Sequence, residues 1–115
     1  MIIPQADRDA FRQALQNLEQ ILDNAYWQAT SLQAKDAING LTQNIADIIT
    51  SLNQSALDST TAEYAELKAT VDQVNTKLTV AQDQINNWVH VVDVSKQVVD
   101  AISQALTFAA EVFPA

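Results

Sequence analysis

The chain is 115 residues long, has no cysteine, and carries 14 acidic against 6 basic side chains for a formal charge of −8. That length fits one domain with a core of its own, and the missing thiols exclude a disulfide framework, a thiolate zinc site and a cysteine nucleophile. Residues 1–57 have a net charge of −3 and residues 58–115 of −5, so neither half offers the clustered Lys and Arg on which nucleic-acid or anionic-membrane binding depends.

Taken in chain order, Pro4 stands where helices favour proline, at the first turn, and Asp7 and Asp9 place negative charge near the positive end of a helix dipole. An apolar stripe follows at alternating four- and three-residue spacing: Phe11, Leu15, Leu18, Leu22, Ala25, Ala29 and Leu32. A second stripe runs through Ala34, Ile38, Leu41, Ile45, Ile48 and Leu52. The two are out of phase. Extending the first would put Asp36 and Asn39 on the seam, so a break is expected between Gln28 and Asp36, with Thr30 and Gln33 as its capping box and Gly40 weakening the same region.

The segment Asn53 to Thr61 is rich in Ser, Asn, Asp and Thr, which compete for backbone hydrogen bonds outside helices, and it reads as the main turn at 53–60. Thr60 with Glu63 then matches a capping box. From Tyr64 to Phe113 a heptad register runs through Leu67, Val71, Val74, Leu78, Ala81, Ile85, Trp88, Val92, Ser95, Val99, Ile102, Leu106 and Ala109, with Ser95 its one polar member between those ends. Such a repeat keeps one stripe of a helix against a neighbour.

The stripe widens after Trp88. A second line opens beside it at Val91, Val94, Val98, Ala101, Ala105, Phe108 and Val112, which suits a helix packed between several neighbours. The β-branched stretch around His90 to Ser95 is a mediocre helix former, and Asp93 or Ser95 is a suitable N-cap for a new helix. Pro114 stops the last helix.

These signals predict an all-α protein, one domain over residues 1–115: an antiparallel up-and-down four-helix bundle with helices at about 5–29, 34–54, 60–90 and 94–113. The alternative is a long two-arm helical hairpin with arms of ~75 Å at 1.5 Å per residue, which would dimerise. Thirteen Gln and eight Asn fall mostly off the seams and suit a polar helix surface.

Chemistry finds little support. A di-iron or di-manganese bundle needs Glu-x-x-His pairs, whereas the lone histidine, His90, follows Asn87 at that spacing. His90 and Asp93 share a helix face, but no nucleophile elbow accompanies them, and a single glycine excludes phosphate-cradling and dinucleotide loops. The carboxylate pairs Asp7/Asp9 and Glu63/Glu66 sit in solvated helix contexts. No catalytic, cofactor or metal site is therefore expected, and the chain reads as no enzyme.

The opening segment lacks a signal-peptide pattern and no stretch approaches a membrane span, so a cytoplasmic protein with no membrane or nucleic-acid partner is expected. The leading functional expectation is a non-enzymatic acidic interaction protein: an adaptor, assembly factor or inhibitor-like partner. Its candidate contact residues are aromatic or apolar side chains off the main seams, Tyr26, Trp27, Val91, Val94, Val98 and Phe108. The alternatives are self-assembly, for example as a homodimer, and an apolar-ligand-binding bundle with a pocket near Trp88, Phe108 and Tyr26.

Overall fold

The computed structural model describes residues 2–54 and 58–114. Four helices follow one another: α1 (Gln5–Gln28), α2 (Leu32–Gln54), α3 (Ala62–Trp88) and α4 (Val92–Val112). Each packs against its neighbours in sequence, and α1 also packs against α4, so the helices stand at the corners of a square with α1/α3 and α2/α4 on the diagonals. This is the antiparallel up-and-down bundle. Its long dimension is 44 Å, the length of one helix of α3's size at 1.5 Å per residue. The two-arm hairpin is thereby set aside.

The seams place the core. Phe11, Leu15, Leu18 and Leu22 of α1 and Ile38, Ile45 and Ile48 of α2 are fully buried. So are Val71, Leu78 and Ile85 of α3. At about 1.5–3 kcal/mol for each such side chain, this burial is the dominant favourable term. α1 and α4 pair most closely. The buried face of α4 carries Ala101, Ala105 and Ala109, small side chains that let a neighbouring backbone approach.

The two ends of the bundle close differently. At one end, Phe113 sits edge-on to Phe11 at 6.4 Å and tilted against Tyr64 at 5.1 Å, while the Tyr64 hydroxyl donates to the Val112 carbonyl. At the other, the α1–α2 and α3–α4 loops lie side by side, with Ala29 and Val89 forming an antiparallel bridge. There the last carbonyls of α3, orphaned by the end of the helix, find donors in neighbouring segments. The Thr30 N–H and hydroxyl both donate to the Trp88 carbonyl, at 2.9 and 3.2 Å. The buried Ser95 hydroxyl donates to the Val89 carbonyl at 2.9 Å. Ser95 is thus polar on an apolar seam because α3 ends beneath it.

Several local expectations change. The break expected between Gln28 and Asp36 is present at residues 29–31, but its cap is Ser31 rather than Thr30: the Ser31 Oγ accepts from the Ala34 N–H. Gly40 lies within an uninterrupted α2. The expected main turn at 53–60 includes residues 55–57, which lie outside the described residues; Asn53 is still helical. The cap of α3 is Thr61, one residue later than Thr60, because Asp58 engages the Thr60 N–H and hydroxyl and leaves the Thr61 Oγ to accept from Tyr64. The N-cap of α4 is Val91, without a side-chain bond, in place of Asp93 or Ser95.

The long register is broken in phase as well as width. Residues 89–91 leave the helix, and α4 resumes rotated so that its buried face lies between the two stripes, on Val94, Ser95, Val98, Ala101, Ile102 and Ala105. Val92, a seam position by counting, is 77% exposed. Leu32, assigned to the stripe of α1, begins α2 instead and is 75% exposed.

Candidate functional site

The loop end of the bundle is where apolar side chains reach solvent. Among the described residues the large exposed ones are Ile2, Trp27, Leu32, Val80, Val91 and Val92. Four of these, Trp27, Leu32, Val91 and Val92, belong to the last turn of α1, the first turn of α2 and the start of α4, all at this end. Trp27 is 69% exposed. Its ring stands edge-on to the half-buried Tyr26 ring at 5.2 Å and 87°, and the Lys35 ammonium lies over both rings, 5.4 Å from that of Tyr26 and 5.9 Å from that of Trp27. Such exposed cation–π contacts are each worth about 0.5–1 kcal/mol. They favour this placement of the indole while most of its surface remains open.

The six sequence-selected residues do not form one surface. Tyr26, Trp27 and the exposed Val91 lie at the loop end. Val94 and Val98 are buried in the bundle, on the inward face of α4, and are not presented to a partner. Phe108 is half-buried toward the opposite end, where it lines a shallow depression of about 230 Å³ with Ala14 and Asn17 of α1. Trp88, Phe108 and Tyr26 consequently share no pocket.

Sequence reasoning missed Leu32 and Val92, which heptad counting assigns to seams, and Lys35. It also missed a groove of about 370 Å³ between α2 and α3. Ala37, Gly40 and Leu41 line it from α2, and Val80 and Trp88 from α3. Its polar lining residues are Asp36, Asn44, Thr76 and Lys77. One signal was available in the sequence: Val80 is apolar two positions beyond the Leu78 seam position, although Thr76, Lys77, Asp83 and Gln84, one helical turn away on either side, are polar.

Titratable groups are dispersed. His90 and Asp93 are both exposed, on either side of the point where α4 begins. Asp9 pairs with Arg12 at 2.6 Å on the surface of α1, and Arg12 also donates to Asn53 of α2. Glu63 and Glu66 are exposed. Among the described residues two carboxyl groups depart from ordinary acidity. Partial burial pushes Glu19 up, and the backbone N–H of Thr60, 2.9 Å away, holds Asp58 down at about 2. They belong to different helices' surroundings and share no cavity. Among the described residues no three His, Cys, Asp or Glu side chains gather as a metal site, and no helix is long and apolar enough to cross a membrane.

Comparison with known protein families, curated proteins and solved structures finds no match to this chain.

Proposed function

We propose that this chain is a non-enzymatic helical interaction protein that docks a partner protein on the loop end of its bundle, with Trp27 as the anchor. The observation that carries the reading is the Trp27 indole itself. It is mostly exposed, with its ring edge-on to Tyr26 and the Lys35 ammonium over it. Large rigid aromatics of this kind dominate binding energy at protein interfaces because they bury area at small entropic cost. Leu32, Val91 and Val92 extend the apolar surface around the same end. The chain's charge of −8 favours a partner whose complementary surface is apolar at its centre and basic around it.

The test is site-directed photo-crosslinking of the full chain in its native cells. A benzophenone side chain at Leu32 is expected to give one discrete protein adduct that disappears in the Trp27→Ala background. The same group at the exposed Gln73 of α3 is expected to give none. Trp27→Ala should weaken the purified complex by at least about 2 kcal/mol, the scale of an interface hot spot. Equal adducts at both positions, or an adduct indifferent to Trp27, would overturn the reading. An adduct of twice the 12.6 kDa chain mass would replace the separate partner with a second copy of this protein.

A further inference from the structure

We propose that Asn39 is a site of spontaneous covalent modification: when the middle of α2 opens, the Gly40 backbone nitrogen attacks the Asn39 side-chain amide, and the asparagine ends as aspartate or isoaspartate. This site is independent of the loop-end docking surface.

The sequence selects the residue. Asparagine is a thermolabile side chain, and its cyclisation is hindered by the side chain of the residue that follows it. The chain has eight Asn and a single Gly, and Asn39 alone precedes glycine. Gly40 has no Cβ to shield its nitrogen. Asn39 itself is exposed on α2.

The chemistry needs only water. The Gly40 nitrogen forms a bond to Asn39 Cγ, the Cγ–Nδ2 bond breaks, and the proton of the Gly40 N–H leaves with the amide as ammonia. One water then opens the cyclic imide. Attack at Cγ restores the original main chain and leaves aspartate. Attack at the backbone carbonyl carbon leaves isoaspartate, with the chain running through the former side chain. That product has an extra main-chain atom, which the regular hydrogen-bond ladder of a helix does not accommodate.

The fold sets the rate. While α2 is helical the reaction is blocked twice. As an interior helical residue, Gly40 has its N–H committed to the carbonyl four residues back, that of Asp36. The helical ψ of Asn39 also turns the Gly40 nitrogen away from Cγ. Yet Gly40 has no positive φ, and a Cβ built there meets nothing within 4 Å. Neither backbone conformation nor packing demands the glycine, and it weakens the helix relative to alanine. The residue that supplies the unhindered nitrogen therefore also eases the opening that frees it. Packing is loosest at the same place. α2 and α3 are the least closely paired of the neighbouring helices, and Asp36 and Gly40 both line the groove of about 370 Å³ between them. The bond that must break lies beside open space rather than in the core, and local opening concentrates where buried contacts are few.

The experiment incubates the full chain at mildly alkaline pH, once folded and once fully unfolded in urea. Peptide mapping by mass spectrometry follows every Asn, and electron-transfer fragmentation distinguishes isoaspartate from aspartate. In the folded chain, conversion is expected at Asn39 alone, and faster than the globally unfolded fraction from a urea titration allows. Gly40→Ala, which adds a methyl group in open space, should slow the reaction in both states. Its folded-to-unfolded rate ratio should fall by about fivefold as well, the change in open population that the two helix propensities imply. The proposal is overturned if Asn39 stays intact in the folded chain, if other Asn convert as fast, if conversion only matches the globally unfolded fraction, or if Gly40→Ala leaves the rate ratio unchanged.

Discussion

Replacing Gly40 by alanine should make this protein more stable. Gly40 lies in the interior of α2 (Leu32–Gln54), far from either cap, with a backbone conformation open to any L-residue. The added methyl group meets no atom within 4 Å, so there is no clash to set against the gain. That gain comes from the unfolded chain, which loses conformational freedom, and from the better helix propensity of alanine; together these are worth about 0.5–1 kcal/mol. In a domain of this size such a change raises the thermal midpoint by about 2–4 °C. Urea unfolding followed by helical circular dichroism measures it directly, and the expected signature is a higher midpoint at an unchanged slope, since the surface exposed on unfolding is the same. A midpoint that stays or falls would refute the reasoning. It would mean that α2 is not regular at Gly40, or that the groove wall is packed against something a Cβ cannot share.

Two further outcomes follow from the polar groups that the fold buries. Ser95→Ala leaves the carbonyl of the fully buried Val89 without its 2.9 Å donor. The cost of an unsatisfied buried acceptor, less the propensity gain of alanine, is a loss of about 1–2 kcal/mol; a denaturation midpoint equal to that of the unsubstituted chain would remove Ser95 from the account of the α3–α4 turn. Glu19→Gln should stabilise the protein at pH 7. Burial raises the Glu19 pKa above 4.5, so its ionised form is disfavoured in the folded state, and the stability contributed by the protonated form is present below 4.5 and lost as pH rises through the folded pKa. The advantage of the Glu19→Gln variant should vanish well below pH 4.5, where both side chains are neutral. Asp23→Asn, exposed on the same helix, controls for the general removal of a negative charge, and an equal advantage at all pH values would defeat the argument.

The architecture was legible because long-range packing and local periodicity agree. Tyr64, Leu67, Val71, Val74, Leu78, Ala81 and Ile85 fall on a counted seam and are buried on it. The caps were legible to within a residue only. Asp58 decides between Thr60 and Thr61 by engaging the N–H and hydroxyl of the first, a competition that a capping pattern does not encode. The phase change before α4 was hidden by arithmetic. From Ile85 to Val92 is one heptad, so the count stays intact across 89–91 although the chain leaves the helix there and Val92 turns outward. The same reset removes Val94 and Val98 from the surface. Of the groove only Val80 left a trace in the sequence, because the rest is a property of the spacing between α2 and α3, which no single helix carries.

The contrast between the two ends bears on why the exposed side chains are apolar at all. The Phe11–Tyr64–Phe113 end closes by burying its aromatic rings, so their character is required by the fold. The loop end closes by hydrogen bonds: Thr30 and Ser95 satisfy the carbonyls of Trp88 and Val89, and the Ala29–Val89 bridge brings the loops together. Closure there asks nothing of the side chains of Trp27, Leu32, Val91 or Val92, and polar residues at those positions would improve solubility without loss of the core. The bonds from Thr30 to Trp88 also tie the loop that follows Trp27 to one wall of the α2–α3 groove.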